Sequence, residues 1–267
     1  MTPAPELPEL KRRVAEQYRD ASHINTRIYI HEHYSRNTYG WHRWVFDQFS
    51  LPGECRVLEL GCGAGTLWLE NLGRVPAGWR VTLSDMSRGM LDDARASALA
   101  RDPRFAFEEL DAQAIPFAAG SFDAVIANHM LYHVLDRPKV FGCIQRVLKP
   151  GGRLYATANG MGHMAEMHEL ILTLNPDAYP EGRSEERFGL ENGREQLAPW
   201  FADVEVRLYD DELVVPHAEP LIAYVRSLSR LSEAQLAQAK ERVASEIRAQ
   251  RAFRVTKNSG MFVARRA

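Results

Sequence analysis

Ten residues in the first quarter of the chain constrain its fold more than any other stretch. Val57 to Thr66 reads Val-Leu-Glu-Leu-Gly-Cys-Gly-Ala-Gly-Thr, an apolar run containing one acid, followed by three glycines that alternate with small residues. An amphipathic segment comes next. Because glycine tolerates positive φ and carries no side chain, this pattern predicts a strand, then a tight turn whose backbone a ligand can approach, then a helix.

The glycine spacing argues against a nicotinamide dinucleotide site. That site needs glycines at the first, third and sixth positions of the turn. Here the glycines are Gly61, Gly63 and Gly65, and the sixth position is Thr66. Glu59, two residues before the first glycine, is also foreign to the dinucleotide pattern.

Further apolar runs follow, and polar residues come directly or shortly after three of them. Asp85 closes the run at residues 79–84, and a short run at 105–107 leads to Asp111. Asn128 comes directly after the run at 122–127. A helical pattern through residues 140–147 stops at Lys149-Pro150-Gly151-Gly152, and a fifth strand, Arg153 to Ala158, follows. Strands that alternate with helices predict an α/β fold with a parallel sheet covered on both faces.

In these residues the chain resembles the class I S-adenosylmethionine-dependent methyltransferases. The resemblance covers roughly Leu51 to Ala158 and depends on five motifs in order. They are Glu59 to Gly65, Asp85-Met86, Asp111-Ala112, Ser121-Phe122-Asp123 and Leu148 to Gly152. The resemblance implies a Rossmann-like sheet of seven strands, mostly parallel with the last one antiparallel. It also implies S-adenosylmethionine as cofactor and S-adenosylhomocysteine as product.

The resemblance assigns the methionine half of the cofactor to the glycine turn. Gly61, Cys62 and Gly63 would let the backbone approach this half, and Glu59 would organise the loop and the amino group through water. Asn128 would touch the methionine portion from the loop after the fourth strand. Cys62 is expected to line the turn and not to act as a nucleophile.

The adenosine half is assigned to the ends of the next two strands. Asp85 would bind the ribose hydroxyls, and Met86 would pack on the adenine face. Asp111 would accept from the adenine amine, while the Ala112 N–H would donate to a ring nitrogen. The competing interpretations are that Asp85 is a charge at a helix N-terminus and that Asp111 is a turn residue, although Ser87 is the better helix cap.

The loop after the fourth strand is predicted to carry the catalytic side chains. A sulfonium is already a strong electrophile, so the protein mainly orients the reactants and excludes water, and a base matters only for a protonated acceptor. His129 is the predicted general base or acceptor-orienting group, with Tyr132 and His133 next. An alternative is that one or two of these rings pack beneath the following helix.

The segment from His31 to Trp44 is rich in aromatic residues and histidines, and the resemblance implies that it belongs to an N-terminal helical lid. Trp41 and Trp44 have helical spacing and are expected in the core. Tyr34 and Tyr39 are candidates to contact the sulfonium, which an aromatic face attracts. We predict a lid at residues 1–50, a cofactor-binding core at 51–158, a cap insertion at 159–203 and C-terminal elements at 204–267 within a single domain. A terminal hairpin of residues 253–257 and 261–264 would supply the antiparallel last strand.

The composition of the chain limits the classes of partner and site that we expect. The net charge is −2, which argues against a nucleic acid substrate, because phosphate contacts need a basic face. Three cysteines without paired spacing, and His31-x-His33 without a third ligand, predict neither disulfides nor a metal site. No apolar run approaches bilayer length and the start lacks a signal-peptide core, so a soluble, cytoplasmic protein is expected.

The expected function is methyl transfer to N, O or C of a small-molecule metabolite that is at least partly apolar or aromatic. Two alternatives remain at this point. One is a module that binds the cofactor without turnover, and the other is a protein methyltransferase, which needs an open acceptor groove.

Overall fold

The structure is a computed structural model that describes residues 21–178, 187–229 and 231–267. Residues 1–20 of the predicted lid and residues 179–186 of the predicted cap lie outside the described part. The chain divides into two compact units. The sheet unit comprises residues 39–160, 188–209 and 259–267, and the helical unit comprises the described residues within 1–38, 161–187 and 210–258.

Strands and helices alternate through the first part of the chain. The strands are β1 Glu54–Leu60, β2 Gly78–Asp85, β3 Phe105–Glu109, β4 Phe122–Ala127, β5 Leu148–Asn159, β6 Ala202–Tyr209, β7 Glu212–Val215, β8 Phe253–Thr256 and β9 Ser259–Arg265. The helices are α1 Ala21–Tyr34, α2 Trp41–Asp47, α3 Thr66–Asn71, α4 Arg88–Ala96, α5 Arg137–Val147, α6 Ala165–Leu174, α7 Gly193–Leu197, α8 Ala218–Leu228 and α9 Glu233–Gln250.

The sheet unit contains a seven-stranded sheet in the order β3-β2-β1-β4-β5-β9-β6. Strands β1 to β5 pair in parallel, and β9 is antiparallel to both β5 and β6. Leu60 pairs with Ser84 of β2 and with Ala127 of β4, and Asp85 pairs with Glu109 of β3. The carboxyl ends of these four strands therefore form one edge. This confirms the predicted fold class.

Alternation along each strand divides the core of the sheet unit. Leu58, Leu60 and Val125 belong to one buried cluster, whereas Val57 and Ile126 belong to another. Successive side chains of a strand point to opposite faces, so each face of the sheet is covered by its own apolar layer.

Side chains fix the starts of two helices next to this sheet. The Ser87 hydroxyl accepts a hydrogen bond from the Met90 N–H, which makes Ser87 the cap of α4 as the sequence predicted. Asp136 caps α5 in the same way by accepting from the Lys139 N–H.

The helical unit has its own apolar core. Met164, Met167 and Leu213 are buried there together with the inner faces of α8 and α9. Both methionines are fully buried and are core residues of this unit. Asp211 and Lys257 form a buried ion pair of 2.6 Å in this unit, one residue outside the strand pair β7–β8.

The predicted terminal hairpin was wrong. Strand β8 pairs with β7 of the helical unit, and β9 lies between β5 and β6 of the sheet unit. The burial of the two strands gives the reason. Residues of β8 alternate between buried and exposed, as on a strand with one covered face, whereas Ser259 to Ala264 are all buried and need neighbours on both sides. The Asn-Ser-Gly turn signal instead marks the point where the chain passes from one unit to the other.

Candidate active site

The three glycines of the turn have different surroundings. All have positive φ, namely 68° at Gly61, 55° at Gly63 and 79° at Gly65. A Cβ at Gly61 would lie 2.8 Å from the Met130 Cβ, and one at Gly65 would lie 2.7 Å from Leu99 Cδ1. A Cβ at Gly63 would meet no atom within 4 Å. Close packing explains the absence of side chains at Gly61 and Gly65, and only Gly63 faces open space.

Asp85 fastens this turn to the end of β2. Its Oδ2 accepts the Gly63 N–H at 2.9 Å, and its Oδ1 accepts the Ser87 N–H at 2.8 Å. The Cys62 N–H donates to the Ser84 carbonyl at 2.9 Å. A carboxylate has about four lone-pair sites, so Asp85 retains acceptor capacity for other donors.

Glu59 is buried beneath the turn and bonds to a helix side chain. Its exposure is 1%, and its Oε2 accepts the Trp68 Nε1–H of α3 at 2.6 Å. Burial raises the pKa of Glu59 to about 8, the bond from Trp68 lowers it, and the Asp85 charge raises it. Glu59 therefore supports the turn through α3.

Cys62 occupies the turn without the properties of a nucleophile. Its Sγ lies 3.4 Å from the Gly63 carbonyl oxygen. Burial raises the pKa of the Cys62 thiol above its usual range, and the Glu59 and Asp85 charges act in the same direction. A reactive cysteine needs the opposite shift.

The end of β3 lies beside the end of β2. The Leu110 N–H donates to the Asp85 carbonyl at 3.2 Å, and Asp111 follows directly. Asp111 Oδ1 accepts the Gln113 N–H at 2.9 Å and caps a short 3-10 turn, Ala112–Ala114. Next to Asp85, Met86 is 40% exposed.

The end of β4 is held by β5. Thr157 Oγ1 donates to Asn128 Oδ1 at 2.8 Å and accepts the His129 N–H at 2.8 Å. His129 has a φ of 51°, in the left-handed region that disfavours residues with a Cβ. Such conformations persist where surrounding contacts impose them and are concentrated at functional sites. The tie between Asn128 and Thr157 positions the loop that carries His129.

Aromatic rings meet around His129 within the sheet unit. The three predicted catalytic side chains are neighbours, with ring centroids 6.2 Å apart for His129 and Tyr132 and 4.5 Å apart for Tyr132 and His133. On its other side His129 faces Trp41 at 4.9 Å, and Trp41 stacks on Trp44 at 5.2 Å. The two tryptophans, which the helical spacing assigned to the core, therefore also form one wall of the site.

Tyr209 completes this aromatic group. Its ring meets that of Trp41 edge-on at 5.2 Å and that of Trp44 at 5.3 Å. Sequence reasoning missed Tyr209, which is the last residue of β6 and about 80 positions from His129. The only available signal was its place at the end of a strand.

The two predicted lid tyrosines belong to different units. Tyr34 belongs to the helical unit, where its ring meets that of Tyr29 edge-on at 6.2 Å. Tyr39 donates from its hydroxyl to Asp47 Oδ2 at 2.6 Å and is 47% exposed. The assignment of Tyr34 to the cofactor stays a prediction.

Comparison with known proteins was made for sequence and for fold. Residues 57–152 match the family model described as a methyltransferase domain. The demethylmenaquinone methyltransferase of Thermus thermophilus is 40% identical over 114 residues, which are 43% of this chain and 51% of that protein. The chain therefore spans about half the length of this curated relative.

Two solved structures share the fold at low sequence identity. A Bacillus halodurans protein described as a candidate methyltransferase has a TM-score of 0.58 at 14% identity, covering 84% of this chain and 98% of its own. Haemonchus contortus phosphoethanolamine N-methyltransferase 2, solved with S-adenosylhomocysteine, has a TM-score of 0.54 at 22% identity, covering 85% and 52%. Residues 57–152 are thus similar in sequence to a methyltransferase domain, and the fold is that of these two structures.

The residues of the candidate active site fit S-adenosylmethionine. The open space at Gly63 is where a ligand can approach the backbone of the turn. The carboxylates of Asp85 and Asp111 are acceptors suited to ribose hydroxyls and to an adenine amine, and the exposed Met86 offers an apolar face. The two carboxylate acceptors, the apolar face of Met86 and the open turn therefore suit an adenosyl group.

Two searches bear on other ligands and on membranes. Among the described residues, no three His, Cys, Asp or Glu side chains are grouped so that they would hold a metal ion. Over the same part of the chain, no helix combines the length and apolar character needed to span a bilayer.

Proposed function

We propose that this chain is an S-adenosylmethionine-dependent methyltransferase that methylates a small molecule. One observation carries the proposal. The open turn at Gly63, the carboxylate of Asp85 that fastens it, the cap residue Asp111 and the strained His129 all lie at the carboxyl edge of one parallel sheet. Open α/β sheets bind their ligands at this edge.

The cofactor would supply an electrophilic methyl group on a sulfonium. The chain's own residues would bind and orient it. Asp85 would accept from the ribose hydroxyls while keeping its two bonds to the turn, and Asp111 would accept from the adenine amine. The Ala112 N–H lies at the start of a 3-10 turn, where N–H groups lack partners within the turn, and would donate to a ring nitrogen.

His129 would act on the acceptor. Its backbone is fixed by Thr157 and its ring by contact with Trp41, so little side-chain entropy is lost when it orients a substrate. An acceptor with an acidic O–H or N–H would give its proton to this imidazole. The surrounding rings of Trp41, Trp44 and Tyr209 would exclude water from the reacting atoms.

The same aromatic rings indicate the class of methyl acceptor. Aromatic side chains favour a molecule that is at least partly apolar or aromatic. The Thermus thermophilus relative is named for demethylmenaquinone, which belongs to that class. The net charge of −2 supports a small molecule over a nucleic acid, and three cysteines without a pairing pattern support a cytoplasmic location.

Calorimetry with S-adenosylmethionine and S-adenosylhomocysteine tests the proposal first. We expect binding of both compounds, and Asp85→Asn should weaken it by about 1–3 kcal/mol because a charge-assisted acceptor is lost. Asp92→Asn, at an exposed carboxylate of α4, is the matched control. If the chain binds neither compound, the proposal is wrong.

Transfer is then tested with labelled cofactor. A metabolite extract and demethylmenaquinone are offered as acceptors, and mass spectrometry searches for a product one CH₂ heavier. A labelled product that depends on the protein supports the enzyme. Tight binding of the cofactor with no product from any acceptor would instead support a module that binds without turnover.

A further inference from the structure

Trp41 carries a polar atom whose hydrogen-bonding potential the fold leaves unused. Its indole Nε1 is buried, and it has no hydrogen-bond partner within the part of the chain that the structure describes. An indole N–H is a donor only, and buried tryptophan N–H groups are almost always bonded. A buried N–H without an acceptor destabilises the fold, so an acceptor from a ligand would recover that loss.

The position of Trp41 indicates which ligand atom meets this N–H. Trp41 is the first residue of α2, and α2 is joined to α3, the helix that follows the glycine turn. The His42 ring bonds to Glu70 at 2.7 Å, and Asn71 Nδ2 donates to the His42 carbonyl at 3.0 Å. The face of Trp41 packs against His129 at the end of β4. Trp41 is therefore connected to the glycine turn through α3 and to the end of β4 through His129.

We propose that the Trp41 indole N–H donates a hydrogen bond to the carboxylate of the cofactor's methionine moiety. This inference is built on the proposed function. Asp85 and Asp111 can only accept while ionised, so they suit the ribose and adenine donors at the ends of β2 and β3. The protonated amino group has no lone pair to offer this N–H, and the positive charge of the sulfonium makes its remaining lone pair a very poor acceptor. The carboxylate is the strongest acceptor in the remaining half, and an oxygen of the methyl acceptor is the rival partner.

Substitution by phenylalanine separates the N–H from the ring. Trp41→Phe keeps an aromatic face toward His129 and removes the donor. Trp200→Phe is the matched control, since it makes the same change at a partly buried tryptophan of the sheet unit that is not among the site residues. The ligands are S-adenosylhomocysteine, which has the carboxylate, and 5′-methylthioadenosine, which lacks the whole amino acid.

Calorimetry should show that Trp41→Phe loses affinity for S-adenosylhomocysteine selectively. We expect Trp41→Phe to lower the affinity for S-adenosylhomocysteine about 10- to 50-fold, because one charge-assisted hydrogen bond is lost. The affinity for 5′-methylthioadenosine should change less than about two-fold. Trp200→Phe should change both affinities less than about three-fold. An unchanged affinity of Trp41→Phe for S-adenosylhomocysteine overturns the inference, as does an equal loss for both ligands.

Nitrogen-15 NMR of the tryptophan side chains supplies a second readout in the unmodified chain. The indole signal that Trp41→Phe removes should move downfield with S-adenosylhomocysteine and stay in place with 5′-methylthioadenosine. A signal that ignores S-adenosylhomocysteine overturns the assignment to the carboxylate, even if Trp41→Phe fails to fold. Wild-type binding of S-adenosylhomocysteine in the same titration leaves the proposed function standing in that case.

Discussion

Gly63 and Gly65 are two residues apart in one turn and are glycines for different reasons. A side chain at Gly63 would enter open space, whereas one at Gly65 would collide with Leu99, and both positions have positive φ. At the residue scale, the pair separates a position shaped for a ligand from a position shaped by packing.

We expect Gly63→Ala and Gly65→Ala to fail in different assays. Gly63→Ala should lower the free energy of unfolding by about 1 kcal/mol because its φ is positive. It should also lower the affinity for S-adenosylhomocysteine at least about ten-fold, because the new methyl group occupies the ligand's space. Gly65→Ala should cost about 2–4 kcal/mol, since overpacking against Leu99 adds to the strain. Urea denaturation and calorimetry measure the two quantities, and equal destabilisation would contradict this account.

The left-handed backbone of His129 determines which substitution tests its role. Asparagine tolerates that conformation better than other residues, so His129→Asn removes the imidazole with little backbone penalty. We expect methyl transfer to fall at least about ten-fold while the affinity for S-adenosylhomocysteine changes less than about three-fold. Transfer by His129→Asn at the wild-type rate would remove His129 from the catalytic residues and leave Tyr132 and His133 as candidates.

At the scale of elements, the bond between Glu59 of β1 and Trp68 of α3 links the strand before the turn to the helix after it. The acid is fully buried, and its pKa lies near 8 instead of the ordinary 4.5. Between these two values the unfolded chain has lost a proton that the folded chain keeps. The free energy of unfolding therefore falls as pH rises through this window.

Replacing this acid should flatten the pH dependence. The Glu59 contribution has a slope of up to ~1.4 kcal/mol per pH unit between pH 5 and 8. Glu59→Gln does not titrate and keeps an oxygen for the Trp68 N–H, so its stability should decline less over the same range. Urea denaturation at each pH provides the comparison, with Glu108→Gln as an exposed control. Parallel curves for wild type and Glu59→Gln would show that Glu59 is ionised throughout.

Elements also show where local patterns were sufficient. Ser232 caps α9 through a capping box with Gln235, and α9 begins at the next residue, Glu233. These signals lie within a few residues of the element they define. The pairing of β8 with β7 joins residues about 40 positions apart, and no turn motif encodes such a partner.

At the scale of the whole molecule, the residues assigned to the cofactor fall in one unit, apart from Tyr34. The sheet unit contains the turn, both acids and the loop with His129, and the helical unit has a separate apolar core. A ligand that binds the folded form stabilises it by about 2.7 kcal/mol at a hundred times its dissociation constant.

Hydrogen exchange should locate that stabilisation. With saturating S-adenosylhomocysteine, we expect slower exchange in peptides covering residues 61–66, 85–88, 111–114 and 128–131. Peptides of α5, in the same unit, are the internal reference. Slower exchange at residues 28–35 would support the predicted contact of Tyr34. Uniform slowing across all peptides would mean that the ligand acts on global stability and would leave the site unlocated.

The sequence by itself determined the α/β fold and the placement of Gly63, Asp85, Asp111 and Asn128 after the carboxyl ends of parallel strands. Glycine spacing, period-two apolar runs and acids after strands act locally, and parallel strands bring their carboxyl ends to one edge whatever the rest of the chain does. Only the tertiary structure decided that β9 lies between β5 and β6 and that Trp41 packs against both His129 and Tyr209. Those contacts join distant segments, and they are selected by packing and burial over the whole chain.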